Sequence, residues 1–299
     1  MPKVRGTLTV LITPFAEGGG KVDAPALRQL VNWQIDQGID GLIPLGSTGE
    51  FLSVSREERQ EIVETCVSAS AGRVPVYIGT GAEVTADAVE LSCEAETMGA
   101  DGVLIIPPFY SSPTDDELFA HYRKIGEAIS IPMMLYNNPA TANVDMLPPL
   151  VARLSRIDAV QSIKESTLDV TRVRDIIELA GDRIDVFAGI LGYESFWLGA
   201  VGWVSVCSNL LPKESAALFA LSDRQDRDSA LELYRRILPI VRWVGGHRYV
   251  SATKAGLDLM GMPVGIPREP RLPLPDEERM ELAATLQHLG LVGSLATTP

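Results

Sequence analysis

Eight short, apolar, β-rich runs recur along the chain, and each is followed by a longer segment of helical period. They are Thr7–Ile12, Gly41–Leu45, Val76–Ile78, Gly102–Ile106, Met133–Tyr136, Ala159–Ile163, Asp185–Phe187 and Trp203–Val206. This alternation restricts the fold more than any other feature. A strand that reaches its neighbour through a helix runs parallel to it, and a parallel sheet must be covered by helices. Eight such units predict an α/β architecture, the (β/α)8 or TIM barrel, which typically needs about 250 residues. The chain has 299, so the barrel is assigned to residues 1–225 and a C-terminal helical extension to 226–299.

Local signals agree. Ser55-Arg56-Glu57-Glu58 and Thr114-Asp115-Asp116-Glu117 read as helix N-caps with acid in the first turn, and Gly38, Gly99 and Gly181 stand where helices should stop. Leu27, Leu30, Val31 and Ile35 form a core-facing stripe. Beyond the eighth unit, Arg227–Val244, Val250–Met260 and Asp276–Leu289 read as helices, with a Pro-rich stretch from Pro263 to Pro275. This tail has no catalytic signature of its own and is expected to pack on the barrel or support oligomers. An open doubly wound sheet would carry a Gly-rich dinucleotide turn after its first strand, but the chain there reads Ile12-Thr13-Pro14-Phe15. Gly18-Gly19-Gly20-Lys21 is too short for a phosphate cradle.

Composition narrows the partners. A formal charge of −13 repels polyanions, which argues against nucleic acid. Cys66, Cys93 and Cys207 are odd in number and lack a C-x-x-C spacing, as expected of reduced thiols in a cytoplasmic protein. No signal segment or membrane span is read. His121, His247 and His288 are dispersed without metal-ligand spacing, so no metal or other cofactor is expected, and His121 is placed on a helix surface.

In a barrel of this kind the chemistry sits at the C-terminal ends of the strands. The residues there are Thr13, the run Gly46-Ser47-Thr48-Gly49-Glu50, Gly79-Thr80-Gly81, Tyr110, Tyr136, Lys164, Gly189 and Ser208-Asn209. Of six lysines, Lys164 alone ends an apolar strand, which puts its amine in the barrel mouth. A lysine withdrawn from water loses proton affinity and can attack a carbonyl as a neutral amine. The same position also fits an ion pair with Glu165. Tyr136 ends the adjacent strand within reach of Lys164, as an acid/base or as a barrel-lining aromatic. The Gly46–Gly49 turn offers backbone N–H groups and two hydroxyls suited to a carboxylate.

Taken together, these residues resemble the dihydrodipicolinate synthase and N-acetylneuraminate lyase family of class I aldolases, over essentially the whole chain. The likeness rests on Gly46-Ser47-Thr48-Gly49-Glu50, Pro107-Pro108-Phe109-Tyr110, Leu135-Tyr136-Asn137 with Pro139, and Ile163-Lys164-Glu165-Ser166, in that order. The resemblance implies an imine between Lys164 and pyruvate or a related 2-oxo acid, with Tyr136 as general acid/base and the substrate carboxylate on Ser47 and Thr48. It implies that Ser47 connects Tyr136 to Tyr110, which in many members reaches over from a neighbouring subunit of a homo-oligomer, dimer or tetramer. The carbonyl at Val204 would face the substrate.

The pattern departs from the best-known members beyond the pyruvate portion. Synthases carry an arginine shortly after the catalytic tyrosine, where this chain has Thr141. Sialic-acid lyases carry an acidic pair after the seventh strand, where this chain reads Gly189-Ile190-Leu191-Gly192. Thr141, Asn143 and Thr167 are therefore the candidate specificity positions, and Gly189 is a further candidate substrate-binding position. The leading expectation is an aldolase, dehydratase or deaminase acting on pyruvate or a 2-oxo-3-deoxy-type acid. Condensation of pyruvate with aspartate semialdehyde, as a 4-hydroxy-tetrahydrodipicolinate synthase performs it, is the alternative, and a barrel that binds a 2-oxo acid without turnover is a third reading.

Overall fold

The structure is a computed structural model that describes residues 4–292; Lys3, read as part of the terminus, lies outside them. Its strands are β1 (Gly6–Val10), β2 (Gly41–Ile43), β3 (Tyr77–Gly79), β4 (Gly102–Ile105), β5 (Met133–Asn137), β6 (Val160–Glu165), β7 (Asp185–Ala188) and β8 (Gly202–Ser205). They pair in parallel in the order β2-β1-β8-β7-β6-β5-β4-β3, and a parallel bridge between Leu42 and Val76 joins the two ends. The eight strands thus close into a TIM barrel.

The helices that return the chain are α1 (Ala24–Asp36), α2 (Arg56–Ser70), α3 (Thr85–Thr97), α4 (Asp115–Ala128), α5 (Pro148–Leu154), α6 (Thr171–Ala180), α7 (Gly192–Phe196) and α8 (Pro212–Asp223). The extension adds α9 (Arg227–Gly245), α10 (Tyr249–Leu259) and α11 (Asp276–His288). Ser55 and Thr114 cap α2 and α4 as read, each in a reciprocal box with the glutamate three residues on. Gly38 and Gly99 follow α1 and α3 at φ 91° and 90°, a conformation that costs a side chain but not glycine.

Strand alternation divides the apolar residues into two cores. Leu8, Val10, Ile43, Leu104, Met134 and Phe187 fill the barrel, together with Tyr136 and Val204. The opposite faces pack against the helices in a larger cluster. Each fully buried aliphatic side chain contributes roughly 1.5–3 kcal/mol, so a slip that exchanged the faces would forfeit most of the core.

Three expectations about ends and surfaces are corrected. Strand β1 ends at Val10: the Leu11 N–H makes the last bond to β2, at the Ile43 carbonyl, and the Ile12 N–H goes instead to the Asn209 side chain. Strand β6 runs on to Glu165, since its polar end stays in register with Phe187 and Ala188. His121 is only 5% exposed: α4 turns it toward the start of α3, where Nδ1 and Thr85 Oγ1 lie 2.9 Å apart and its ring meets Tyr122 edge-on. Burial pushes this imidazole down to about 4.

Cys66, Cys93 and Cys207 are free thiols. Among the described residues no helix is long and apolar enough to cross a membrane, and no group of three or more His, Cys, Asp and Glu side chains could hold a metal.

Candidate active site

Parallel pairing puts Lys164 of β6 in register with Tyr136 of β5 on one side and Phe187 of β7 on the other. Tyr136 and Phe187 both belong to the interior cluster, so the lysine points into the barrel. It is 5% exposed, and its Nζ lies 4.1 Å from the centre of the Tyr136 ring. Among the described residues no carboxylate lies within ion-pair distance of this amine. Glu165, the partner that a structural reading would require, turns instead to Asn137 Nδ2 at 3.0 Å and to the Thr167 N–H at 2.8 Å.

The Tyr136 hydroxyl accepts from Asn138 Nδ2 at 2.9 Å. Burial opposes its ionisation, but the nearby Lys164 amine, with the hydrogen bonds from Asn138, Ser47 and Lys164, outweighs burial and brings the phenol below its ordinary range. Lysine, tyrosine and Ser47 therefore form one hydrogen-bonded cluster.

The Gly46–Glu50 turn follows β2. Leu45 before it and Glu50 at its end both hold positive φ, 61° and 55°, uncommon for residues with side chains. Within the turn the Gly49 N–H bonds to the Gly46 carbonyl, whereas the N–H groups of Ser47 and Thr48 find no acceptor among the described residues. Two adjacent unpaired donors make an anion-binding concavity. Thr13 fastens the turn from β1, donating to the Gly49 carbonyl at 2.8 Å. From beneath, the Glu50 carboxylate, fully buried, stands 3.1 Å from Lys254 Nζ on α10 and accepts from the Arg268 N–H at 3.0 Å.

The other sequence candidates separate. Val204 packs inside the barrel with Tyr136. Thr141 lines a cavity of about 310 Å³ above Ser47, whose wall includes Phe51, Ile106, Tyr249 and Arg271. Asn143 lies outside that wall and donates to the Tyr110 carbonyl at 2.8 Å, and Thr167 turns toward the Asp169 carbonyl. Gly189 serves close packing: a Cβ there would come within 1.8 Å of Ser166 Oγ and 2.9 Å of the Glu165 carbonyl. Tyr110 is 84% exposed, and three N–H groups around it, those of Phe109, Tyr110 and Ser111, all donate to Glu83. Thr80 and Asn209 bond outward, to Ser92 and to the ends of β1 and β8.

Sequence reasoning overlooked Asn138, the Glu50–Lys254 pair, and Tyr249 with Arg271. The extension thus lines a cavity at the barrel mouth, beyond the packing role expected of it. A readable signal existed for Lys254: Val250 to Leu257 contains no other charge and only small or apolar neighbours, the composition of a helix buried all round.

Comparison with known proteins agrees over the full length. The sequence model of the dihydrodipicolinate synthetase family matches residues 3–289. A 4-hydroxy-tetrahydrodipicolinate synthase of Pelobacter propionicus is 37% identical over 290 residues, 96% of this chain and 99% of its own, and one of Bartonella bacilliformis is 39% identical over 298 residues, 97% and 99% of the two chains. Among solved structures, the chloride-inhibited dihydrodipicolinate synthase of Acinetobacter baumannii complexed with pyruvate superposes with a TM-score of 0.94 at 32% identity, covering 97% of this chain and all of its own. The 4-hydroxy-tetrahydrodipicolinate synthase of Methylacidiphilum fumariolicum gives 0.92 at 34%, covering 96% of each chain. This chain belongs to the dihydrodipicolinate synthetase family and is a class I, Schiff-base lyase.

Proposed function

We propose that the chain condenses pyruvate with aspartate semialdehyde, the reaction of a 4-hydroxy-tetrahydrodipicolinate synthase, through an imine on Lys164. One observation carries the imine: a buried lysine amine with no carboxylate partner among the described residues, beside a tyrosine of lowered pKa and facing a turn with two unpaired N–H groups. The choice of reaction is supported by full-length relatives that bear the synthase name.

In this reading the pyruvate carboxylate takes the N–H groups of Ser47 and Thr48, which brings C2 toward Lys164. The amine attacks C2 as its free base; one of its protons passes through Tyr136 to the carbinolamine oxygen, a further proton delivered along the same route lets that oxygen leave as water, and the nitrogen keeps one proton as an iminium. The resulting imine withdraws electrons from C3. Tyr136 takes a C3 proton to give an enamine, whose carbon attacks the aldehyde; the new C–C bond forms as the aldehyde C=O π bond breaks, and the proton returns from Tyr136 to that oxygen. The amine of the second substrate then displaces Lys164 from C2, closing the ring and freeing the enzyme. Tyr110, exposed on its own chain, would complete the relay in a neighbouring copy of a homo-oligomer.

A second reading, cleavage or dehydration of a 2-oxo-3-deoxy-type acid, is favoured by Thr141 standing where synthases carry an arginine. Borohydride added with pyruvate should fix one adduct on Lys164, seen by peptide mass spectrometry and lost in Lys164→Ala. An adduct elsewhere, or none, overturns the mechanism. Given the adduct, turnover of pyruvate plus aspartate semialdehyde supports synthesis, and cleavage or dehydration of the 2-oxo-3-deoxy acids alone supports the second reading.

A further inference from the structure

The cavity at the barrel mouth is lined by two charged residues, Glu50 and Arg271. They are not equivalent. Glu50 is neutralised by Lys254 at 3.1 Å and bonded by the Arg268 N–H. Arg271, although acidic side chains outnumber basic ones 39 to 26, has no carboxylate within ion-pair distance among the described residues. Its backbone is held, N–H to the Arg268 carbonyl at 3.1 Å, and its guanidinium stands beside the Tyr249 hydroxyl. Burial pushes that phenol up to about 12, so at neutral pH it keeps its proton and can donate.

The cavity borders the pocket beside the Lys164–Tyr136 pair. It shares Ser47, Phe51 and Ile106 with the small pocket that Tyr136 lines. Across it, Thr141 brings no charge, and its hydroxyl turns to the Asn138 carbonyl at 3.3 Å. A molecule joined to Lys164 and extending outward would therefore meet one uncompensated positive group, a planar fork with a hydroxyl beside it. That set of donors matches a carboxylate.

We infer that Arg271, assisted by Tyr249, binds a second carboxylate of the substrate, so that the C-terminal extension selects reactants carrying a negative group distal to the imine carbon. The inference rests on the Lys164 imine proposed above. It assigns to the extension the anchoring task that Thr141 cannot perform.

The test uses borohydride trapping on the whole enzyme and needs no turnover. The half-saturating concentrations of 2-oxoglutarate and 2-oxopentanoate, which differ in the distal carboxylate, give a preference ratio, and pyruvate serves as control. The wild type should prefer 2-oxoglutarate. Arg271→Met should reduce that preference on the order of 30-fold while pyruvate trapping stays at the wild-type level. Arg271→Lys should keep part of it and Tyr249→Phe should lose a few-fold; these two decide the matter if Arg271→Met does not fold. No preference in the wild type, or an unchanged ratio in the variants, overturns the inference. Failure to trap pyruvate at all overturns the imine reading instead.

Discussion

Replacing Lys254 by methionine is expected to unsettle the Gly46–Glu50 turn, proposed above to hold the substrate carboxylate, from a residue outside the cavity wall. The methionine stem keeps much of the lysine's packing but leaves Glu50, whose side chain is 0% exposed, with only the Arg268 N–H. At 3.1 Å and an effective dielectric of about 20, the attraction being removed is about 5 kcal/mol. Burial works against it. Lys254 falls to about 8 because desolvation outweighs the pull of Glu50, an offset of about 3 kcal/mol against the ammonium. Breaking one side of such a pair typically destabilises by about 3–5 kcal/mol, since the remaining charge stays buried.

The opposite change should be milder. In Glu50→Gln the lysine keeps its carbonyl acceptors, Thr13 at 2.8 Å and Ile266 at 3.1 Å, and can shed its proton at modest cost. We expect a loss of about 1–3 kcal/mol. In the double variant no charge remains to be orphaned, so its loss should fall short of the sum of the single losses by about 2 kcal/mol or more. Urea unfolding with linear extrapolation, at matched m-values, measures all three. Half-saturation of pyruvate trapping should rise in Lys254→Met, because Glu50 ends the turn in a left-handed conformation that the buried pair holds. Single losses that add in the double variant to within about 0.5 kcal/mol would refute the argument.

Tyr136→Phe should leave the fold intact and lower kcat by about 10²–10⁴-fold, with borohydride trapping slowed to match; an unchanged rate would remove the tyrosine from the proton path. For His121 the sign follows from its depressed pKa. Between about 6.5 and 4 the unfolded chain binds a proton that the folded imidazole refuses, so this residue's contribution is intact above pH 6.5 and is lost as pH falls through that window. The loss is about 3 kcal/mol by pH 4. His121→Gln should therefore narrow the stability gap between pH 7.5 and pH 4.5, and an unaltered gap in unfolding experiments would contradict a buried neutral imidazole.

The barrel was legible because its signal is repetitive: eight alternations, boxed caps at Ser55 and Thr114, and a glycine past each of several helix ends all say the same thing. Lys164 and Tyr136 were legible for a related reason, since a strand's C-terminal end in a parallel barrel fixes where a side chain goes before any contact is known. What escaped was whatever depends on elements far apart in sequence. His121 has the spacing of a surface residue on α4, and only the approach of Thr85 on α3 buries it. Thr13 and Asn209 sit at strand ends like Lys164, yet one fastens the turn after β2 and the other staples β1 to β8.

The extension makes the strongest case. Glu50 meets a lysine 204 positions later, and Arg271 joins Ser47 across a still longer interval. No period or motif connects them, because the pairing is made by how α10 and the segment after it lie on the mouth of the barrel. In the reading proposed above, the Schiff-base residues stand in local strand-end patterns, while selectivity is set from a part of the sequence where those patterns are silent. That division leads us to seek the determinant of the second reactant at Arg271, rather than at Asn143 or Thr167, which lie on the loops beside the lysine and tyrosine but turn away from the cavity.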